Sequence, residues 1–122
     1  MTPTTQLRVF FGPDTWMGPG KGDLLQLIEE TGSIAAAGRR MGMSYKRAWY
    51  LIDSLNAYFD EPVVASSRGG KAGGGAHLTV TGRRVLDLYR RMQAKTERAI
   101  GDEVRELERL MRAPVDDGAE SL

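Results

Sequence analysis

The chain has 122 residues, a net charge of +1, 41% hydrophobic and 27% charged residues, which is typical of one ordinary globular domain. It has no cysteine and a single histidine, His77, which excludes disulfides, thiolate metal sites and histidine metal clusters. We therefore expect neither a metal nor a cofactor. Because the sequence lacks signal-peptide features and any apolar run near the roughly 18 residues of a membrane span, we expect a cytoplasmic protein without a membrane partner.

Basic residues concentrate in the middle of the chain. Residues 32–84 carry eight Lys or Arg against three Asp or Glu, whereas the flanking segments 1–31 and 85–122 each carry two more acidic than basic residues. A basic zone between acidic ones is expected of a phosphate-binding face. Ordinary surface charge explains this single feature about equally well.

A short strand and a helix are predicted in the first quarter of the chain. Apolar residues alternate with other residues over 7–11, which predicts a strand closed by a turn at Gly12. Apolar residues then recur at helical spacing, which predicts a helix over 21–31. This helix is expected to end at Gly32.

Two further helices are predicted to follow in close succession. Ser33 suits the N-cap of a short, alanine-rich helix that stops at Gly42. Ser44 suits the N-cap of a third helix that extends to about Phe59. Two helices joined by so tight a turn form a helix-turn-helix unit.

The third predicted helix has a core face and a polar outer face. At about 100° per residue, one stripe is apolar: Ala48, Leu51, Ile52, Leu55 and Phe59. Trp49 borders this stripe, where an aromatic residue belongs to the core more often than to a binding face. Residues near the start of the outer face and its flanks are the candidates for contacts with DNA bases: Tyr45, Lys46, Arg47 and Tyr50.

A β-hairpin with a glycine-rich tip is predicted after the third helix. Strands over 63–65 and 77–80 enclose the segment 66–75, which gives a wing over about 63–80. The spacing around Lys71 does not match a nucleotide-binding P-loop. We therefore interpret the glycine-rich segment as a contact to the DNA backbone, in preference to a nucleotide site or a plain flexible linker. The candidates for DNA-backbone contacts are Ser33, Ser44, Arg68, Gly70, Lys71 and His77.

A long last helix is predicted after the wing. Thr81 is the expected N-cap of a helix over 82–112. A helix of this length would project beyond a domain of this size. We expect this helix to pair with a second copy of the chain. The apolar residues near heptad spacing are the candidates for dimerisation: Val85, Leu88, Met92, Ile100, Val104, Leu107 and Met111.

The predicted organisation is therefore a winged helix-turn-helix domain over 1–80, a dimerisation helix over 81–112 and a disordered acidic tail over 113–122. The fold class is mainly α with a small β wing. No catalytic constellation emerges. A serine, a histidine and an aspartate can be picked out of any chain of this length, and no nucleophile-elbow motif supports such a set here. We expect the protein not to be an enzyme.

Over about 20–92 the sequence resembles the N-terminal DNA-binding domain of ModE-type molybdate-responsive transcription regulators, which are related to the LysR-type winged helices. The motifs that carry the resemblance are ETGSI at 30–34, SYKRAW at 44–49, LN at 55–56 and GGKAGGGA at 69–76, followed by Leu78, Thr79 and Gly82.

The resemblance implies a homodimer on a palindromic operator of double-stranded DNA, with the third helix of each subunit in a major groove. The resemblance also implies that the protein controls genes for the uptake of molybdate or related metals. ModE-type regulators usually continue into oxyanion-binding domains, so direct molybdate binding by this chain is not expected. The alternative is a protein–protein interaction adaptor that uses the winged-helix fold without specific DNA binding.

Overall fold

A computed structural model of the protein describes residues 2–67 and 75–112. The predicted wing tip and acidic tail lie outside the described residues. The elements in chain order are β1 (Val9–Gly12), β2 (Thr15–Met17), α1 (Pro19–Thr31), α2 (Ile34–Arg40), α3 (Tyr45–Tyr58), β3 (Val64–Ser67), β4 (Gly75–Leu78) and α4 (Val80–Leu110). This mainly helical architecture with small antiparallel hairpins confirms the predicted fold class.

The N-terminal strand is one half of a hairpin that the sequence prediction missed. β1 pairs antiparallel with β2, with Phe10 opposite Trp16. β2 has only three residues, too few for an alternating pattern to stand out. α1 begins at Pro19, two residues earlier than predicted, because proline suits the first turn of a helix, where its missing N–H costs nothing.

Both glycines predicted to end helices have left-handed backbone conformations. The φ angles are 70° at Gly32 and 71° at Gly42, a region that glycine enters without steric cost. Ser33 and Ser44 cap α2 and α3 as predicted, since each side chain accepts a hydrogen bond from the N–H three residues later. The helix-turn-helix unit is therefore specified locally.

Close packing of α2 on α3 depends on small side chains. Ala37 and Gly38 are buried, whereas Ala35 and Ala36 are half-buried. A Cβ atom at Gly38 would lie 3.2 Å from Cβ of Ala48. The contact therefore has little room for larger residues at these positions.

One hydrophobic core joins the three short helices, the β3–β4 hairpin and the start of α4. The predicted core stripe of α3 is confirmed, with only Phe59 half-buried at its end. The largest fully buried side chains are Leu24, Leu25, Ile28, Ile52, Leu55, Val63, Leu78 and Tyr89.

The start of α4 is fixed against the segment that precedes β3. Thr79 donates its N–H to the Val63 carbonyl (3.0 Å) and its hydroxyl to the Pro62 carbonyl (2.6 Å). The same hydroxyl accepts the Gly82 N–H at 2.9 Å, so Thr79 is the N-cap of α4. The prediction that Thr81 is the cap was wrong, because Thr81 already lies inside the first turn.

Gly82 is the point of closest approach between α4 and this segment. A Cβ atom at Gly82 would lie 1.9 Å from the Val63 carbonyl oxygen, and the neighbouring atoms are also backbone. No side-chain adjustment can relieve that overlap. A residue other than glycine would have to displace the helix or the segment.

Replacing Gly82 with alanine is expected to lower the free energy of unfolding by more than about 2 kcal/mol, because overpacking against backbone cannot relax. Gly101→Ala in the same helix is the control, since its Cβ would meet only the flexible Arg105 side chain at 3.4 Å. That variant is expected to be neutral or stabilised by up to about 1 kcal/mol. Urea denaturation followed by circular dichroism measures both, and equal midpoints would contradict the packing argument.

α4 is buried against the hydrophobic core only in its first three turns. Its 31 residues correspond to about 46 Å, but its buried residues are only Gly82, Leu86 and Tyr89. Burial raises the pKa of Tyr89, whose hydroxyl donates to the Leu7 carbonyl at 2.7 Å and so ties the N-terminal segment to the helix. Within the described residues, none of the helices has the length and apolar character required to cross a membrane.

Candidate nucleic-acid interface

The first two turns of α3 present the four predicted base-contacting residues to solvent. Lys46 and Arg47 are exposed, and Tyr45 and Tyr50 have 58% and 62% of their surface exposed. Because α3 buries Ala48, Leu51, Ile52 and Leu55 on its other side, this exposed face is fixed by the core. A protruding helix face of this kind fits the width of a DNA major groove.

Aromatic contacts organise this face. Trp49 is half-buried and packs against the core, and the Tyr45 ring lies edge-on to it, with ring centroids 6.2 Å apart. The Arg47 guanidinium carbon lies 5.7 Å from the centroid of the Tyr50 ring. Trp49 therefore supports the face from beneath, while Arg47 and Tyr50 form an exposed pair.

The basic residues of this face are not neutralised. Among the described residues, no carboxylate forms a salt bridge with Lys46 or Arg47, in contrast to Arg40, which pairs with Glu30 at 3.7 Å. Arg39, at the end of α2, is exposed and likewise without such a pair within the described part of the chain. The face is therefore electrostatically suited to a polyanion.

The predicted backbone-contacting residues lie at three places. Ser33 and Ser44 are at the N-termini of α2 and α3, where each hydroxyl already accepts a capping hydrogen bond. His77 is exposed on β4, directly opposite Ala65 of β3. Arg68, Gly70 and Lys71 lie outside the described residues.

The base of the wing is joined to the helix-turn-helix unit. The N–H of Ala76 on β4 donates to the Gly32 carbonyl at 3.0 Å, next to the N-cap of α2. β3 and β4 pair antiparallel and in register from Val64–Leu78 to Ser67–Gly75. The direction of the hairpin is thus set by the turn that also positions Ser33.

Asn56 has a positioning role that the sequence analysis did not predict. Its amide oxygen accepts the N–H groups of Val63 (2.8 Å) and Val64 (3.0 Å), and its amide nitrogen donates to the Val64 carbonyl (3.2 Å). One side chain of α3 therefore fixes the chain at the start of the wing. An amide is the group that can offer an acceptor and a donor at this spacing.

Lys21 is a second residue that the sequence analysis did not single out. It is 3% exposed, and its ammonium donates to the Tyr58 hydroxyl (2.7 Å) and the Trp16 carbonyl (3.1 Å). The ammonium also lies 3.3 Å from the centroid of the Trp16 ring, a cation–π contact. Lys21 thus connects β2 and α1 to the last residue of α3.

The arrangement is a winged-helix fold. Two solved structures share the fold: the CbnR DNA-binding domain in complex with DNA (TM-score 0.56, 24% identity, 73% of this chain and 95% of that chain) and the multiple antibiotic resistance repressor MarR (TM-score 0.55, 16% identity, 77% and 73%). No family model matches the chain.

The homologues of this chain include ModE transcriptional regulators and molybdenum-pterin-binding Mop proteins. The chain is 45% identical to the molybdenum-pterin-binding protein MopB of Rhodobacter capsulatus over 78 residues, which is 64% of this chain and 29% of that protein. It is 47% identical to the transcriptional regulator ModE of Yersinia pestis over 66 residues (54% and 25%). It is 40% identical to the molybdenum transport protein ModE of Azotobacter vinelandii over 91 residues (71% and 34%).

These relatives confirm the resemblance inferred from the sequence motifs. The matched region spans between a quarter and about a third of the length of the three relatives. The likeness therefore concerns only a part of each of these relatives.

Replacing Asn56 with alanine is expected to destabilise the protein by about 2–3 kcal/mol, because it leaves the buried backbone groups at Val63 and Val64 without partners. Asn56→Asp keeps an oxygen that can accept both N–H groups, so it should lower the stability less than Asn56→Ala does. Hydrogen exchange of the Val63 and Val64 amides measures the effect at the site. Protection of both amides that is unchanged in Asn56→Ala would contradict this role.

Proposed function

We propose that the protein is a sequence-specific transcription regulator that binds double-stranded DNA. In this proposal α3 enters the major groove and the wing lies along the adjacent backbone. The observation that carries it is the outer face of α3, where Lys46 and Arg47 stand without carboxylate partners among the described residues beside the exposed rings of Tyr45 and Tyr50. The fold shared with a DNA-bound domain supports the same placement.

The proposal divides the residues into two groups. Side chains at the start of α3 contact base edges and supply specificity: Tyr45, Lys46, Arg47 and Tyr50. Residues at helix N-termini and on the wing contact phosphates and supply affinity: Ser33, Ser44, Arg68, Gly70, Lys71 and His77.

The names of the relatives suggest which genes such a regulator controls. Several are ModE regulators, and one is named a molybdenum transport protein. We therefore propose molybdate or related metal-uptake genes as its targets. Genome-wide footprinting of the bound sites identifies the neighbouring genes and tests this choice.

Lys46→Ala is expected to weaken binding to the selected operator by about 1–3 kcal/mol and to reduce discrimination against other sequences. Lys71→Ala is expected to weaken binding to all DNA sequences alike. It should also reduce the slope of log affinity against log salt concentration by about one unit, which corresponds to one phosphate contact. Gel-shift or anisotropy titrations at several salt concentrations measure both.

Lys95→Ala provides the control for these variants, since Lys95 is an exposed lysine on α4, away from α3 and the wing. It should bind like the wild type. Operator affinity and specificity in Lys46→Ala that match those of the control would exclude Lys46 from base recognition.

We further propose that the chain forms a homodimer through the part of α4 that extends beyond the hydrophobic core. On a helix with about 100° per residue, the distal residues Ile100 and Leu107 lie on the side that carries Gly82 and Tyr89 near the domain. The hydrophobic core covers that side only at the start of α4, and further along the helix residues 2–5 lie beside Val104. Ile100 and Leu107 are 37% and 56% exposed, which favours burial against a second subunit.

The seven predicted dimerisation residues have different surroundings in the monomer. Val85 is half-buried against the domain core, and Leu88 is 41% exposed on a neighbouring side of α4. Val104 is half-buried and lines a shallow cleft of about 350 Å³ beside residues 2–5. Met92 is half-buried and Met111 is 64% exposed. In our proposal the distal residues contribute more to the interface than Val85 does.

Leu107→Glu is expected to shift the protein from dimer to monomer at micromolar concentration, because it places a charge in the proposed apolar interface. Arg98→Gln is the control, since it changes the net charge by the same amount at an exposed residue on the side of α4 opposite Ile100 and Leu107. Sedimentation velocity distinguishes the two. A wild-type protein that is monomeric at these concentrations would refute the dimer.

A further inference from the structure

We infer that the outer face of α3 selects base pairs by two chemistries: the Tyr50 ring contacts the C5-methyl group of thymine, and Arg47 binds the acceptors of guanine. The inference rests on the proposed function, because it concerns the bases that α3 would contact. It adds the chemical identity of those bases. Nothing in the names of the relatives or the shared fold specifies it.

The groups on this face define which bases it can complement. Lys46 and Arg47 offer only hydrogen-bond donors, and Tyr50 offers an exposed apolar ring with one hydroxyl. In the major groove guanine presents two acceptors, N7 and O6, and thymine presents a methyl group beside its O4 acceptor. Cationic donors therefore match guanine, and an exposed ring matches thymine.

The usual partner of adenine is missing from the exposed face. Bidentate recognition of adenine uses the amide of asparagine or glutamine. The one amide side chain of α3 is that of Asn56, and its oxygen and nitrogen are both bonded to the backbone of Val63 and Val64. Apart from hydroxyl groups, the acceptor on the outer face is the carboxylate of exposed Asp53, which suits the cytosine amino group of a G·C pair.

The position of Tyr50 favours a methyl contact over a purely structural role. Its ring is 62% exposed, in contrast to Trp49 one residue earlier, which is half-buried against the core. The Arg47 guanidinium carbon is 5.7 Å from the ring centroid, less than two base-pair steps of about 3.4 Å, so the two side chains would reach base pairs within a short stretch of DNA. Burial of the ring against a thymine methyl would remove apolar surface from water.

The experiment uses base analogues that change one group each. The full chain first selects its preferred duplexes from a random library. In the best duplex, each thymine is then replaced singly by uracil, which lacks only the methyl group, and each guanine by 7-deazaguanine, which lacks only the N7 acceptor. Fluorescence anisotropy gives the affinity of each duplex for the wild type and for Tyr50→Ala, Tyr50→Phe and Arg47→Ala.

One uracil position per half-site is expected to weaken wild-type binding about 3- to 5-fold, the value of one lost methyl contact. Tyr50→Phe keeps the ring and should show the same loss, whereas Tyr50→Ala should show none. One 7-deazaguanine position should weaken the wild type and leave Arg47→Ala unchanged. Phe11→Ala is the control, because Phe11 is an aromatic residue of similar exposure (68%) outside α3, and it should retain both sensitivities.

Two results overturn the inference while specific binding stands. In one, no uracil position weakens the wild type. In the other, the uracil loss persists undiminished in Tyr50→Ala. If the library yields no preferred sequence at all, the proposed function itself fails, and the inference fails with it.

Discussion

The backbone of Val63 is the point on which the rest of the fold depends. Its N–H donates to Asn56 of α3, its carbonyl accepts the Thr79 N–H just before α4, and Gly82 packs directly against that carbonyl. Val63 has no exposed surface, so its polar groups must find partners inside the protein. The proposed recognition helix, the wing and the long helix are therefore oriented by the buried backbone groups of one residue, Val63.

This arrangement links the proposed dimer to the proposed recognition of DNA. The N-cap of α4, Thr79, is bonded to Val63, which also fixes α3 and β3. A rotation of α4 relative to the domain would therefore break buried hydrogen bonds. In a dimer joined through α4, the two α3 helices would keep a fixed separation and a twofold relation. Fixed separation is what makes the spacing of two operator half-sites part of specificity.

The sequence predicts the features that are encoded locally. The φ angles at Gly32 and Gly42, and the caps at Ser33 and Ser44, depend on the residue itself and its next turn. The cap of α4 could not be chosen from sequence, because two threonines fit the same pattern and only the contacts of Thr79 with Pro62 and Val63 decide between them. The links made by Asn56 and Lys21 depend on partners that are distant in sequence or specific to the tertiary fold.

Lys21 explains how the other end of the proposed recognition helix is held. A lysine in the first turn of α1 opposes the helix dipole, and among the described residues no carboxylate pairs with it. The Tyr58 hydroxyl, the Trp16 carbonyl and the Trp16 ring offset these costs, and they also attach the end of α3 to β2. With Asn56 and Tyr58 both bonded, the C-terminal half of α3 is fixed to the domain. Under the proposed function, differences in which DNA bases are recognised would therefore depend on the exposed side chains of α3 from Tyr45 to Asp53.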